Sequence, residues 1–239
     1  MSVSIDYSLP RENQLLAALP IDDYQRLIPH LELVTLSNQQ MLYDIGESIT
    51  YVYFPHQALV SFISLLEDGS TTEVGIVGKD GMVGLPVCWG GNCSGNLQAI
   101  VQMPGSAMRM KAEHLKTEFN RGGAMQSLLL LYTQALFSQV TQNVAYNRHH
   151  KIEQRLARWL LTVQEQIQSD ELLLTQEFIS QMLGIRRSGV TVAATSLQQA
   201  GVIRYSRGKI TVLDREKLKS TACECYNIIK NEFSRLLGS

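Results

Sequence analysis

The side chains with the most evident chemistry lie in the last third of this sequence. Between residues 175 and 210 there are five basic residues, Arg186, Arg187, Arg204, Arg207 and Lys209, and one acid, Glu177. Positive charge gathered this way suits a polyanion. Arg186 and Arg187 open a short polar run, Arg186-Arg187-Ser188-Gly189. Arg204, Arg207 and Lys209 surround the turn pair Arg207-Gly208. An arginine near a helix start can pair bidentately with guanine, worth about 1–3 kcal/mol of discrimination. Cations at a hairpin tip suit phosphates.

Other reactive groups are dispersed. Cys88 and Cys93 form a C-x4-C pair in a glycine-rich loop, and Cys223 and Cys225 lie far along the chain. A shared metal site needs convergent ligands, and the spacing shows none, so the four are read as free thiols with no metal or cofactor. A redox role for Cys88 and Cys93 stays open. His30, His56 and His114 have no ligand spacing. His149 and His150 are neighbours that point apart on a helix, which fits phosphate contact or hinge surface. No G-x-G-x-x-G, G-x-x-x-x-G-K-[ST] or G-x-S-x-G occurs, and only His56 lies well inside the strand-rich region, too few for a metal-dependent cupin. An enzyme is not expected.

The elements that must hold the basic residues can be read from periodicity. Ile152, Leu156, Trp159, Leu160, Val163 and Ile167 step at helical spacing, with Arg155 and Arg158 among the outer positions. Ser169-Asp170-Glu171 reads as a turn. Thr175 can cap the next helix, and Glu177 favours its first turn. Ile179, Leu183, Ile185, Val190 and Ala193 are apolar where two helices would pack, Ser180 is small at their crossing, and Gly184 supplies the turn. This is a helix-turn-helix pattern. Gly201 ends its second helix, and residues 202–206 and 209–212 flank Arg207-Gly208 as a two-stranded wing. A second helix opening with Arg186-Arg187-Ser188 beside a basic wing suits a duplex, helix in the major groove and wing on the phosphates.

The front of the chain reads differently. From about residue 31 to 111, short apolar or alternating runs are punctuated by glycine at roughly ten-residue intervals. Asp68-Gly69 marks a hairpin between residues 59–66 and 71–77. Such punctuation points to an antiparallel roll. Residues 13–31 read as short helices, one opened by Pro20-Ile21-Asp22. After Gly122-Gly123 a helix runs to about Tyr146, with Leu128, Leu131, Tyr132, Ala135, Leu136, Val140, Val144 and Ala145 covering more than one face. A helix apolar on two sides buries both, one on the roll and the other either on a second chain, as in a two-stranded coiled coil, or within a single-chain core. Asn147-Arg148-His149-His150 interrupts the pattern as a hinge.

With Gly78-Lys79-Asp80-Gly81-Met82-Val83-Gly84 in the roll and Arg187-Ser188-Gly189-Val190 opening the second helix, the chain resembles the Crp/Fnr family of bacterial transcription regulators over nearly its whole length. The resemblance implies an α+β fold: an N-terminal antiparallel β-roll (a cyclic-nucleotide-binding-like jelly roll) over residues 1–120, a long dimerisation helix over 121–147, and a C-terminal winged helix-turn-helix over 148–239. It places phosphate contacts on Thr175 and Gln176 and base-reading positions on Arg187, Ser188 and Val192. Only Arg187 keeps the residue type of the cyclic-AMP-responsive members, so the operator should differ from theirs. Arg186, Thr191, Arg204, Arg207 and Lys209 complete the candidate DNA-binding set. Gly189 costs about 1 kcal/mol against alanine inside a helix; it either lets the backbone approach DNA or occupies an ordinary first-turn position.

The cyclic-nucleotide members hold the ligand with a glycine-glutamate pair before a short helix and an arginine-serine pair after it. The matching positions here are Gly84, Leu85, Asn96 and Leu97, with Phe137 and Ser138 on the long helix. The acid, base and hydroxyl are absent. Burying a phosphate without charge-assisted bonds of about 1.5–3 kcal/mol each removes useful affinity. Cyclic AMP and cyclic GMP are therefore not expected to bind, and these six residues outline a pocket for a different, unknown small-molecule effector. The iron–sulfur members carry a cysteine cluster near the N-terminus, whereas the first cysteine here is Cys88. The implied partners are double-stranded DNA, a second copy of the chain and RNA polymerase. The alternative is a redox-responsive or effector-independent regulator signalling through Cys88 and Cys93 or a protein partner.

Composition agrees once it is divided. The 239 residues hold 21 basic and 22 acidic side chains, a net charge of −1, and 45% are hydrophobic. Residues 1–147 hold 7 basic and 13 acidic, a net of −6; the remaining 14 and 9 give residues 148–239 a net of +5. No apolar run approaches the roughly 18 residues of a membrane span. Residues 1–11 lack a basic segment followed by an apolar core, and four cysteines do not make a disulfide scaffold. A cytoplasmic protein with no membrane partner is expected.

Overall fold

The computed structural model describes residues 12–91 and 93–238, apart from the side chain of Tyr146; the reading of residues 1–11 lies outside them. The chain divides into two units. One takes in the chain up to residue 62, residues 76–136 and the chain from 233 on; the other takes in residues 63–75 and 137–232.

The first unit opens with α1 (Gln14–Ala18) and α2 (Ile21–Leu27), and α2 has Pro20 at its N-cap. Asn13 caps α1, its carboxamide oxygen accepting from the amides of Leu15 and Leu16 while its nitrogen donates to the carbonyls of Pro55 (2.9 Å) and Gly81 (2.8 Å). A fully buried amide is tolerated because those four bonds satisfy it. The strands follow: β1 (Glu32–Leu36), β2 (Met41–Tyr43), β3 (Tyr51–Pro55), β4 (Leu59–Leu65), β5 (Thr71–Val77), β6 (Leu97–Met103) and β7 (Gly105–Lys111). They form two sheets, β1-β7-β3 and β2-β6-β4-β5. This is the antiparallel roll that the glycine spacing predicts. Val52, Phe54, Leu59, Val60, Val101, Ala107 and Met108 fill its core. The β4–β5 turn is built at Asp68-Gly69 as expected: the Asp68 carboxylate accepts from the amide and hydroxyl of Ser70, and Gly69 has φ +81°.

Two helices follow the strands, α3 (Ala112–Arg121) and α4 (Ala124–His149). The inward side of α4 carries Leu129, Tyr132 and Ala135, all buried; the Tyr132 hydroxyl donates to the Met82 carbonyl at 3.1 Å. A side chain at Gly81 would collide with that hydroxyl, its Cβ lying 2.5 Å away. The outward side exposes Leu130, Phe137 (69%) and Val144 (70%), one every seven residues. The helix stays regular through Asn147, Arg148 and His149 and breaks only at His150-Lys151.

The second unit adds α5 (Ile152–Ile167), β8 (Glu171–Leu173), α6 (Gln176–Leu183), α7 (Arg187–Gln199), β9 (Ile203–Ser206), β10 (Lys209–Val212), α8 (Arg215–Thr221) and most of α9 (Cys225–Leu237). Its core is Leu156, Trp159, Leu160, Val163, Ile179, Leu183, Val190, Leu197, Ile203 and Ile210. Two expectations are corrected here. Arg155 and Arg158 do not lie on an outer face but are buried: Arg155 donates to the Leu183 carbonyl and Arg158 to the Asn143 side chain at 3.0 Å. Helix α5 is packed on several sides, by α7, α8 and β8 among others, so its polar positions bury with the apolar ones and take internal acceptors. The wing has three strands in the order β8-β10-β9. Glu171 belongs to β8 rather than to a turn, because β10 pairs on both edges, Ile210 facing Tyr205 on one side and Leu172 on the other.

Candidate nucleic-acid interface

Helix α6 begins and ends as its sequence dictates. The Thr175 hydroxyl accepts the Phe178 amide at 3.1 Å, and Glu177 lies in the first turn. At the far end Gly184 adopts φ +59°, a left-handed conformation that costs a residue with a side chain about 1–2 kcal/mol. That geometry lets the Ile185 amide reach back to the Ser180 carbonyl at 3.0 Å. The Arg155 guanidinium takes the Leu183 carbonyl, another of the helix's terminal acceptors. The chain then turns through Arg186 into α7.

Helix α7 has a sharply divided surface. Val190, Ala193, Ala194 and Leu197 are buried against the core, while Arg187, Ser188, Thr191, Val192 and Thr195 are exposed. All four sequence-predicted residues within this helix, Arg187, Ser188, Thr191 and Val192, therefore share its outward face. Val192 is 71% exposed, an apolar group offered to solvent at the centre of a polar face. Gly189 points the other way. A Cβ there would lie 3.1 Å from the Ile152 Cδ1, so the missing side chain lets α7 pack closely on α5, and the backbone-to-DNA reading of this glycine does not apply.

The remaining candidates converge on the start of that face. The Gln176 carboxamide oxygen accepts from the Arg187 Nε (3.4 Å) and the Thr191 hydroxyl (3.3 Å), so a residue of α6 orients two residues of α7. Thr175, Gln176, Arg187, Tyr205, Ser206, Arg207 and Gly208 line one open groove. The wing tip bends at Arg207 (φ +51°) and Gly208 (φ +77°), two successive positive φ angles that produce a two-residue hairpin and aim the Arg207 side chain outward. The Gly208 carbonyl accepts the Leu174 amide at 2.7 Å, tying the wing tip to the start of α6. Lys209 is half-buried and paired with Glu171 at 2.6 Å, which offsets its charge. Among the described residues no ion pair offsets Arg186, Arg187, Arg204 or Arg207, and all four are exposed. The groove is thus cationic, solvent-open and edged by an exposed helix face.

Gly84, Leu85, Asn96 and Leu97 belong to the first unit, and Phe137 and Ser138 to the second. Gly84 lies against Val52, Leu85 is buried, and Asn96 is exposed. Phe137 is on the outward stripe of α4. Cys88 is half-buried, and burial pushes its thiol up to about 12, so it holds little thiolate at neutral pH; Cys93 is exposed.

One convergence was missed by the sequence reading. His150, Cys223 and Cys225 place a ring nitrogen and two sulfurs within 4.8 Å of one another. His150 and Cys225 are 75 positions apart in the chain, so no local spacing could show it.

The comparisons with known proteins agree with this geometry. Residues 154–221 match the Crp-like helix-turn-helix domain. Among solved structures, a regulator assigned to the Crp/Fnr family from Eubacterium rectale aligns with TM-score 0.69 at 18% identity, over 89% of this chain and 99% of that one. FixK2 from Bradyrhizobium japonicum aligns with TM-score 0.68 at 18% identity, over 81% and 98%. The c-di-GMP responsive global regulator CLP of Xanthomonas campestris aligns with TM-score 0.65 at 12% identity, over 81% and 99%. No curated protein matches the sequence. The chain carries a Crp-like helix-turn-helix domain behind a β-roll and a long helix. In architecture it is of the Crp/Fnr regulator type.

Proposed function

We propose that this protein is a sequence-specific DNA-binding transcription regulator, working as a homodimer on an inverted-repeat operator. The observation that carries the reading is the outward face of α7, where Arg187, Ser188, Thr191 and Val192 are exposed together beside the cationic wing. Arg187 reads a guanine, with Gln176 as its orienting partner, and Val192 meets an apolar edge such as a thymine methyl. Thr175, Gln176, Arg186, Arg204 and Arg207 hold phosphates. Lys209, already paired with Glu171, adds least of the basic residues. No step of this activity calls for catalysis, and the family-level likeness is to regulators rather than enzymes.

The second copy is supported by α4. Leu130, Phe137 and Val144 recur at a seven-residue interval on its exposed side, the repeat with which two helices close on each other. Twofold symmetry then sets two α7 helices about 34 Å apart, one turn of duplex, and RNA polymerase is the further partner such a regulator would engage. The effector is a molecule other than a cyclic nucleotide: glycine, leucine, asparagine and leucine at 84, 85, 96 and 97 offer no charge to a cyclic phosphate. A thiol switch at Cys88 is disfavoured by its raised pKa.

The test is selection of binding sites from random duplex DNA, followed by affinity measurements at two salt concentrations. The reading expects an enriched inverted repeat and affinity that falls steeply with salt, by about 0.9 in log–log slope per phosphate neutralised. Recovery of no preferred sequence, or binding insensitive to salt, would contradict it.

A further inference from the structure

The His150, Cys223 and Cys225 side chains lie in one unit, where the break after α4 meets the segment between α8 and α9. The Cys225 sulfur is 3.4 Å from the His150 Nε2, and the Glu224 carboxylate reaches the same nitrogen at 3.7 Å. Both sulfurs are buried, Cys223 at 3% and Cys225 at 1% exposure, whereas the Glu224 side chain is 70% exposed. The Gln142 carboxamide nitrogen donates to the Cys225 sulfur at 3.1 Å, an outer partner for that ligand atom. Two sulfurs, an imidazole and a carboxylate thus gather with one side open.

We propose that these residues form a binding site for a thiophilic divalent cation of the zinc type. Zinc takes sulfur at about 2.3 Å and nitrogen or oxygen at about 2.0–2.2 Å, so the edges of its tetrahedron run roughly 3.4–3.8 Å. The observed 3.4 Å and 3.7 Å separations match such edges, and the mutual limit of 4.8 Å asks only for small side-chain movements. Cys223, Cys225 and the His150 Nε2 are the three fixed ligands, with Glu224 or water in the fourth place. Binding would replace the thiol protons, which leave to solvent, and the thiol–imidazole contact with metal bonds. Soft thiolates select against magnesium and calcium, which prefer oxygen. Burial and the neighbouring Cys225 push the free Cys223 thiol up, with the Arg158 charge opposing them only in small part, so the ion itself must displace the proton. A bound ion would fasten the end of α4 to the α8–α9 segment. The site is independent of the DNA reading.

The experiment uses the full chain, reduced and freed of metal. Zinc is titrated in competition with a chromophoric chelator, and cobalt is followed by absorption. The expected result is one zinc per chain with a dissociation constant at or below about 1 μM. Cobalt should give the intense visible bands of a tetrahedral thiolate site, and zinc should raise the thermal midpoint. Cys223→Ser and Cys225→Ser should each weaken zinc by about 100-fold or more, His150→Gln by a smaller factor, and Cys88→Ser with Cys93→Ser not at all. Because the cobalt spectrum is read on the unaltered protein, it decides the matter even if a variant fails to fold. Weak, pale octahedral cobalt bands, or zinc held as tightly after Cys223 and Cys225 are both replaced, would overturn the proposal.

Discussion

The Trp159 indole donates a hydrogen bond of 3.1 Å to the Glu73 carboxylate, both side chains being buried. Alternation along β5 turns Glu73 inward, and residues 63–75 belong to the same unit as α5, so the strand's acid finds a partner on the helix. Two further contacts repeat the pattern: the Asn143 side chain donates to the Val74 carbonyl at 3.0 Å, and Thr72 packs beside Gly184. Residues 63–75 are thus part of the same unit as the helix-turn-helix and are bonded within it.

Glu73→Ala should leave the indole N–H buried without this acceptor and cost about 1–3 kcal/mol, while Glu73→Gln, which keeps an oxygen there, should cost less. Urea unfolding followed by tryptophan fluorescence measures both. Equal losses in the two variants would show that packing rather than the hydrogen bond carries the effect.

Phe137→Glu and Val144→Glu place a charge on the exposed stripe of α4, where the wild-type side chains are 69% and 70% exposed. Neither should disturb the fold of the single chain, since surface substitutions are usually within about 0.5 kcal/mol. Each should shift sedimentation from dimer toward monomer. A dimer that survives both changes would place the self-interface elsewhere.

Acid should loosen the second unit through Glu165. Partial burial by itself would lift this carboxyl, but bonds from Lys230 and from the Tyr226 hydroxyl (2.6 Å), with the charges of Lys230 and Arg215, outweigh it and hold the group below its ordinary range. A depressed folded-state pKa contributes stability that is full above the ordinary carboxylate value of about 4.3 and is lost as pH falls through the lower folded value. Glu165→Gln should therefore lower stability at neutral pH and flatten the acid limb below about pH 4.5. Thermal unfolding from pH 7 down to pH 3 follows this, and parallel curves for the two proteins would refute the assignment.

Much of the interface was legible because geometry restricts its residues one by one. Thr175 caps, Gly184 bends left-handed, and Val190 and Ala193 must be apolar where α7 packs. The same periodicity misread Arg155 and Arg158, since an amphipathic pattern presumes a wet face and α5 is packed on several sides. Strand β8 escaped notice because Leu172-Leu173-Leu174 carries no alternation, and its pairing is decided by β10, almost forty residues later. Gly189 reads in the sequence as a residue costly inside a helix with two open explanations, and what decides between them, the Ile152 side chain against it, lies on another helix. The cysteine–histidine cluster needed the fold itself, its members being separated by most of a domain.

The central claim is that Arg187 on the face of α7 reads sequence while the wing holds the backbone. It is tested most directly by the ratio of affinities for the selected inverted repeat and for random duplex, measured by fluorescence anisotropy at fixed salt. Arg187→Ala should cut that ratio by about tenfold or more and leave random-duplex affinity nearly unchanged, whereas Arg207→Ala should weaken both duplexes alike and flatten the salt dependence. Equal loss on both duplexes for Arg187→Ala would contradict the account.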